Sequence, residues 1–219
     1  MKKEALLSVR DLSVAFQTRI AGGIKKILAV KNISFDIFQG ETVALVGESG
    51  CGKTVSAQSI LKLLPYPTAL HPSGNIFFRD QDLLNTEENK LRNIRGNKIS
   101  MIFQEPMTSL NPLHTVERQI SEILFIHSLQ TKEKIKERVL ELLKMVQLKD
   151  TERKLNSYPH ELSGGERQRI MIAMAIANNP DLLIADEPTT ALDVTIQSEI
   201  LQLLRNLRNK LGMSVLLIT

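Results

Sequence analysis

Apolar residues recur along this chain in two rhythms, every second position and every third or fourth, and segments of the two kinds alternate. Leu6 to Phe16 alternates as a strand does, and Ile33-Ser34-Phe35-Asp36-Ile37 alternates again. Between them, residues 17–26 carry Gly22-Gly23 and Lys25-Lys26 and predict a hairpin connection or a flexible insertion. The turn Gln39-Gly40-Glu41 leads into the short apolar run Thr42-Val43-Ala44-Leu45-Val46. A helical period follows from Val55 to Leu64, stopped by Pro65-Tyr66-Pro67 because proline cannot continue the hydrogen-bond ladder. Asn75-Ile76-Phe77-Phe78 predicts a short strand, residues 80–89 read as polar ground, and Lys98 to Phe103 predicts a buried strand ending in Gln104-Glu105-Pro106.

Residues 115–148 hold two helical patterns, the second placing Ile135, Val139, Leu142, Leu143 and Val146 on one face. After Ser157-Tyr158-Pro159-His160, a helix is predicted beyond Gly164-Gly165 with Ile170, Met171, Met174, Ala175 and Ala177. Asp181-Leu182-Leu183-Ile184-Ala185 reads as a strand with Asp186 and Glu187 at its end. Asp193 suits the N-cap of a helix from Val194 to Leu211, its apolar face formed by Ile196, Ile200, Leu203, Leu204 and Leu207, with Gly212 as its stop. Met213 to Ile218 is one more strand. Strands alternating with helices argue for an α/β fold with a mostly parallel sheet covered on both faces.

Composition narrows this little. The 219 residues suffice for one well-buried domain, and 42% hydrophobic with 24% charged residues is ordinary for a globular chain. A net charge of +4 is a weak argument for nucleic acid or an acidic membrane face. The single cysteine, Cys51, excludes an internal disulfide framework and suits a reducing compartment. Neither a signal-peptide core nor a run of eighteen apolar residues is present, which places the protein in the cytoplasm or on a membrane through a partner.

Chemistry enters at Gly47, Glu48, Ser49, Gly50, Cys51, Gly52, Lys53 and Thr54, which match Gly-x-x-x-x-Gly-Lys-[Ser/Thr] between a strand and a helix. Low Cβ bulk lets successive backbone N–H groups curl around a polyphosphate at the positive end of the helix. Lys53 would set its ammonium on the outer phosphates and Thr54 its hydroxyl on Mg²⁺. Asp186 supplies the carboxylate expected opposite Thr54, and Glu187 can orient a water or take its proton. The loop by itself leaves kinases, GTPases and motors open. Leu162, Ser163, Gly164, Gly165 and Glu166 open another helix with a hydroxyl and free N–H groups, a second anion cradle that makes sense if it serves a nucleotide held by another subunit. His71, His114 and His127 lack metal-ligand spacing, and His160 beside Glu161 is not arranged as a zinc helix. Cys51 has no identifiable base, and its place in the phosphate loop accounts for it.

In this order and spacing, the phosphate loop, Gln104, residues 162–166, residues 182–187 and Ala191-Leu192-Asp193 resemble the motifs of ABC transporter ATPases over essentially the whole chain. Phe103-Gln104-Glu105-Pro106-Met107-Thr108-Ser109-Leu110-Asn111-Pro112 and the run from Ala185 to Asp193 resemble bacterial oligopeptide and dipeptide importers, in particular the N-terminal half of those that fuse two ATPase domains. The resemblance implies a P-loop NTPase core with an N-terminal antiparallel β subdomain (residues 1–110 and 160–219) and an inserted helical subdomain (residues 111–159). It implies ATP and Mg²⁺, with Thr54, Gln104 and Asp186 around the metal, Glu187 catalytic, and Phe16 stacked on adenine. It further implies that Ser163 and Gly165 touch the nucleotide of a second, homologous or identical ABC ATPase domain, and that Asp193 belongs to the D-loop. Expected partners are integral-membrane permease subunits and, indirectly, a periplasmic or surface solute-binding protein, with no nucleic acid, and the expected location is cytoplasmic on the inner face of the membrane.

In the family a strand like Leu216-Leu217-Ile218-Thr219 is followed by a switch histidine, whereas this chain ends at Thr219 on an apolar strand that reads as central. The expectation is a truncated segment that binds Mg·ATP and hydrolyses it poorly. Two other classes remain open: an ABC-type clamp acting on nucleic acid or ribosomes, against which residues 111–148 show no sustained heptads, and a nucleotide-binding module without catalysis.

Overall fold

The computed structural model describes residues 4–20, 23–104, 110–127, 131–190 and 192–219. Gly22, Glu105 to Ser109 and Ala191, named in the motifs above, lie outside the described residues. In chain order the elements are β1 (Ala5–Ile20), β2 (Gly23–Phe38), β3 (Thr42–Leu45), α1 (Lys53–Ile60), β4 (Ala69–Phe78), β5 (Gln81–Asp82), α2 (Glu88–Ile94) and β6 (Ile99–Ile102). There follow α3 (Val116–His127), α4 (Lys132–Met145), α5 (Thr151–Lys154), a 3₁₀ turn (Pro159–Glu161), α6 (Gly164–Ala175), β7 (Leu182–Asp186), α7 (Val194–Leu211) and β8 (Ser214–Ile218).

One sheet is antiparallel, in the order β2-β1-β4-β5. Residues 17–26 belong largely to its strands rather than to a connection or flexible insertion: Gln17 pairs with Lys26, Thr18 with Lys25 and Arg19 with Ile24. Lys25 and Lys26 are exposed there, so the polar run marks a solvated ladder whose backbone groups satisfy each other. Farther along, Val14 pairs with Val30 but Ala15 with Leu28, leaving Ala29 as an extra residue. That bulge bears on the site.

The second sheet is wholly parallel, in the order β3-β8-β7-β6. β7 is buried at every position. Its Leu182 and Ile184 join β1, β4 and α1 in one apolar cluster, while Leu183 and Ala185 join α6 and α7 in the other. Burial on both faces is why this strand reads as a continuous apolar run. β8, the last strand, is central, lying between β3 and β7.

Helix α1 ends at Ile60, before the prolines predicted to stop it. Lys62 takes a left-handed φ of 49°, its N–H bonds Ser59 O at 3.1 Å, and Leu63 N–H bonds Gln58 O at 2.9 Å. This is a Schellman ending formed without glycine, which is why sequence did not mark it. The polar ground of residues 80–89 contains β5 and the start of α2. Asp82 organises it, accepting Leu84 N–H at 3.0 Å and the amides of Asn75 and Asn85 at 2.8 and 2.7 Å. Burial pushes the Asp82 carboxyl up, but these hydrogen bonds together hold it below its ordinary value.

α4 packs on both α3 and α5, and α3 and α4 also pack against α6. Ile135, Val139, Leu142, Leu143 and Val146 are all buried there, as their spacing predicts. α6 starts at Gly164 rather than beyond Gly165. Among the described residues no helix is long and apolar enough to cross a membrane.

Candidate functional site

The glycine loop leaves the end of β3 and closes on α1 with Gly52 as N-cap, in the left-handed region at φ 98°. A Cβ on Gly52 would lie 2.6 Å from Ala29 O and 3.0 Å from Val30 Cγ2, so the bulge in β2 seats the loop directly against glycine backbone. A Cβ on Gly47 would lie 2.8 Å from Cys51 Sγ. Lys53 is buried, and its Nζ donates to Gly47 O at 2.7 Å and Glu48 O at 3.0 Å, holding the ammonium inside the loop's curl. Glu48, Ser49, Gly50 and the Cys51 thiol are exposed around it.

Strand β7 brings the carboxylates to this loop. Thr54 Oγ1 donates to Asp186 Oδ1 at 3.1 Å across a sequence separation of 132 residues. Asp186 is 1% exposed; burial and then the charge of Glu187 raise its carboxyl above the ordinary aspartate range, partly opposed by the Thr54 hydroxyl and the Lys53 ammonium. Glu187 has a left-handed φ of 45°, its N–H donates to Ile218 O at 3.1 Å, and its carbonyl accepts Thr190 N–H at 3.1 Å. Its Oε2 accepts Gln104 Nε2 at 2.6 Å and Thr190 Oγ1 at 3.1 Å. Gln104 is exposed just past β6, and its Nε2 is the atom that reaches Glu187. A threonine hydroxyl, a buried carboxylate and an amide oxygen are the hard oxygen donors that suit Mg²⁺, and the cramped glycines suit close approach of a polyphosphate.

Ser163 caps α6. Its Oγ accepts Glu166 N–H at 3.3 Å while Glu166 Oε2 accepts Ser163 N–H at 2.9 Å, a reciprocal capping box. Lys154 Nζ, from α5, pairs with Glu166 Oε1 at 3.0 Å. Burial pushes the Glu166 carboxyl up, but the Ser163 N–H, Lys154 and the Ser163 hydroxyl bring it below its ordinary value. Leu162 is buried beneath the turn, whereas Ser163 and Gly164 are exposed. Cβ atoms on Gly164 and Gly165 would meet Leu192 Cδ2 at 3.6 Å and Ile196 Cγ2 at 3.2 Å, so the start of α7 packs on this turn. Asp193 caps α7 by accepting Ile196 N–H at 3.0 Å.

Thr54 thus meets Asp186, Gln104 meets Glu187, and residues 192–196 meet the glycines of α6. Among the described residues the side-chain hydrogen bonds of Ser163 stay within its own capping box and do not reach the phosphate loop. Phe16 is half-buried, paired across the ladder with Ile27, two residues from the bulge that touches Gly52. Thr190 and Lys154 are the contributors that sequence reasoning did not single out. Thr190 stands three residues after Glu187, a turn spacing that signals it; nothing local signals Lys154.

A glycine loop at the end of one parallel strand, β3, with a carboxylate from the end of β7, one strand removed in the same sheet, facing its threonine, defines a P-loop nucleotide-binding domain. The sequence profile described as ABC transporter matches residues 30–190, and the chain belongs to this family. It is 62% identical over 216 residues to a peptidoglycan transport ATP-binding protein of Agrobacterium fabrum, covering 99% of this chain and 39% of that protein. It is 50% identical over 214 residues to an oligopeptide transport ATP-binding protein of Bacillus subtilis, covering 98% of this chain and 59% of that protein. A solved ATP-binding cassette, dimeric in a post-hydrolysis state with ADP and Pi, superposes with a TM-score of 0.82 at 31% identity, covering 97% of this chain and 87% of that one. The chain therefore spans between two fifths and three fifths of the length of these two relatives. The α/β, P-loop architecture with one parallel and one antiparallel sheet agrees with the expected fold.

Proposed function

We propose that this chain is the ATP-binding domain of a transporter that imports short peptides, and that the protein containing it couples ATP hydrolysis to that import. The observation that carries the reading is the pairing of Thr54 with Asp186 and of Gln104 with Glu187 beside the glycine loop. In this proposal the N–H groups of residues 47–54 wrap the phosphates of ATP and Lys53 moves its ammonium from the loop carbonyls to the outer phosphates. Mg²⁺, when bound with ATP through Thr54, Asp186 and Gln104, neutralises charge on those phosphates. Glu187 orients a water and takes its proton as the water oxygen bonds the terminal phosphorus and the bond to the β-phosphate oxygen breaks. Phe16 stacks on adenine.

The exposed Ser163, with Gly165, faces a nucleotide in a second ABC ATPase domain, and the dimeric state of the solved cassette supports that pairing. Asp193 sits at the same junction. Residues 111–159 form the helical subdomain, which receives the permease subunits; a solute-binding protein acts through them, and the site of work is the cytoplasmic face of the membrane. The names of both relatives support transport over an ATP-driven clamp on nucleic acid, and that of the Bacillus relative supports peptides as the cargo.

The test is Glu187→Gln in the full-length protein assembled with its membrane subunits. ATP binding is expected to persist while ATPase turnover and uptake of a labelled peptide fall by at least ~100-fold. Unaltered turnover removes Glu187 from the mechanism, and uptake of sugars or metal ions in place of peptides overturns the substrate assignment.

A further inference from the structure

We infer that Thr190 is a positioning residue for the attacking step, acting through Glu187; this rests on the reading of Glu187 as proton acceptor. The backbone of Glu187 is pinned on both sides: its N–H is held by Ile218 O, and its carbonyl is held by Thr190 N–H in a tight turn at a left-handed φ. That leaves only the side-chain rotamer to be set. The hydroxyl of Thr190 and the amide of Gln104 both donate to the same carboxylate oxygen, Oε2, at 3.1 and 2.6 Å. With two donors on Oε2, Oε1 is the oxygen turned to the substrate water. Gln104 is exposed just past the end of β6, in a segment separated from Glu187 by 83 residues, so its hold depends on where that segment sits. Thr190 belongs to the same turn as Glu187 and travels with it. The carboxylate therefore keeps its aim through Thr190 when Gln104 is drawn toward a ligand.

The experiment compares Thr190→Val, Thr190→Ser and Glu187→Gln in the full-length, membrane-assembled protein. Valine keeps the shape of threonine and deletes the donor; serine keeps the donor. Loss of one hydrogen bond to a charged group predicts a kcat about tenfold lower for Thr190→Val, with KM for ATP unchanged, and recovery of most of the rate in Thr190→Ser. A kcat for Thr190→Val equal to wild type overturns the inference, as does a serine variant as slow as the valine one, which makes Thr190 a packing residue of the turn. A Glu187→Gln variant with wild-type turnover overturns the proton-acceptor assignment itself, and this inference falls with it. Glu187→Gln inactive with Thr190→Val at full rate sinks the inference alone.

Discussion

At Gly52 a methyl group would stand 2.6 Å from a backbone carbonyl on a residue already at φ 98°. That carbonyl is backbone, and Val30 Cγ2 at 3.0 Å belongs to a β-branched side chain stiff at χ1. Gly52→Ala is therefore expected to lower stability by roughly 1–3 kcal/mol, read as a lower urea midpoint without nucleotide. Lys53 behaves oppositely. The carbonyls it holds belong to exposed residues that water can serve, so Lys53→Ala should leave the urea midpoint nearly unchanged and weaken ATP binding by about tenfold or more in a direct titration. If both variants lost stability equally, the ammonium would be a structural group. The residue types of the loop are legible in sequence because glycine and lysine at fixed spacing state their own purpose. The reason Gly52 tolerates no side chain is not, because Ala29 lies in another sheet and its bulge arises from a register shift between β1 and β2.

Among elements, α6 and α7 depend most visibly on their first turns. Asp193 and Gly212 bound α7 as the sequence predicts, since caps are local chemistry. The capping box of α6 adds a charge that reaches outside the helix, through Lys154. A Glu166 carboxyl held below its ordinary value contributes stability that is fully present above that value and is lost as pH falls through the lowered one. Glu166→Gln is thus expected to lower the melting temperature at neutral pH and to converge on wild type as pH falls through the lowered value and the Glu166 carboxyl becomes neutral. A difference that stays constant across that range would assign the effect to shape rather than charge. The end of α1 shows the reverse of α7: Lys62 occupies the left-handed position usually given to glycine, while its Nζ donates to Leu84 O at 3.0 Å, a bond made across 22 residues. Sequence placed the stop at the prolines because they are the stronger local signal.

For the molecule as a whole, the helical region and the sheet share one apolar cluster, in which Leu142 and Leu143 are fully buried beside Ile170 and Ile172. Leu143→Ala should cost about 2–5 kcal/mol of stability, measured by chemical denaturation. ATP affinity at saturating folding conditions should be unchanged, because the phosphate loop lies on the other cluster, around Ala57 and Ile60. A variant that lost affinity while staying folded would show the two clusters to be coupled. By itself the sequence determined the order of the longer strands and helices, though not β5, α2 or α5, together with the glycine loop, the helix-opening turns of α6 and α7 and the carboxylates at the end of β7, since each rests on spacing within a dozen residues. Only the tertiary structure decided that β8 slots between β3 and β7, that the pairing of Asp186 with Thr54 expected from the two motifs is a direct hydrogen bond across 132 residues, and that Gln104 reaches the oxygen of Glu187 that Thr190 also holds. Those contacts join segments far apart in the chain, and their geometry comes from sheet order and register, which no local pattern encodes.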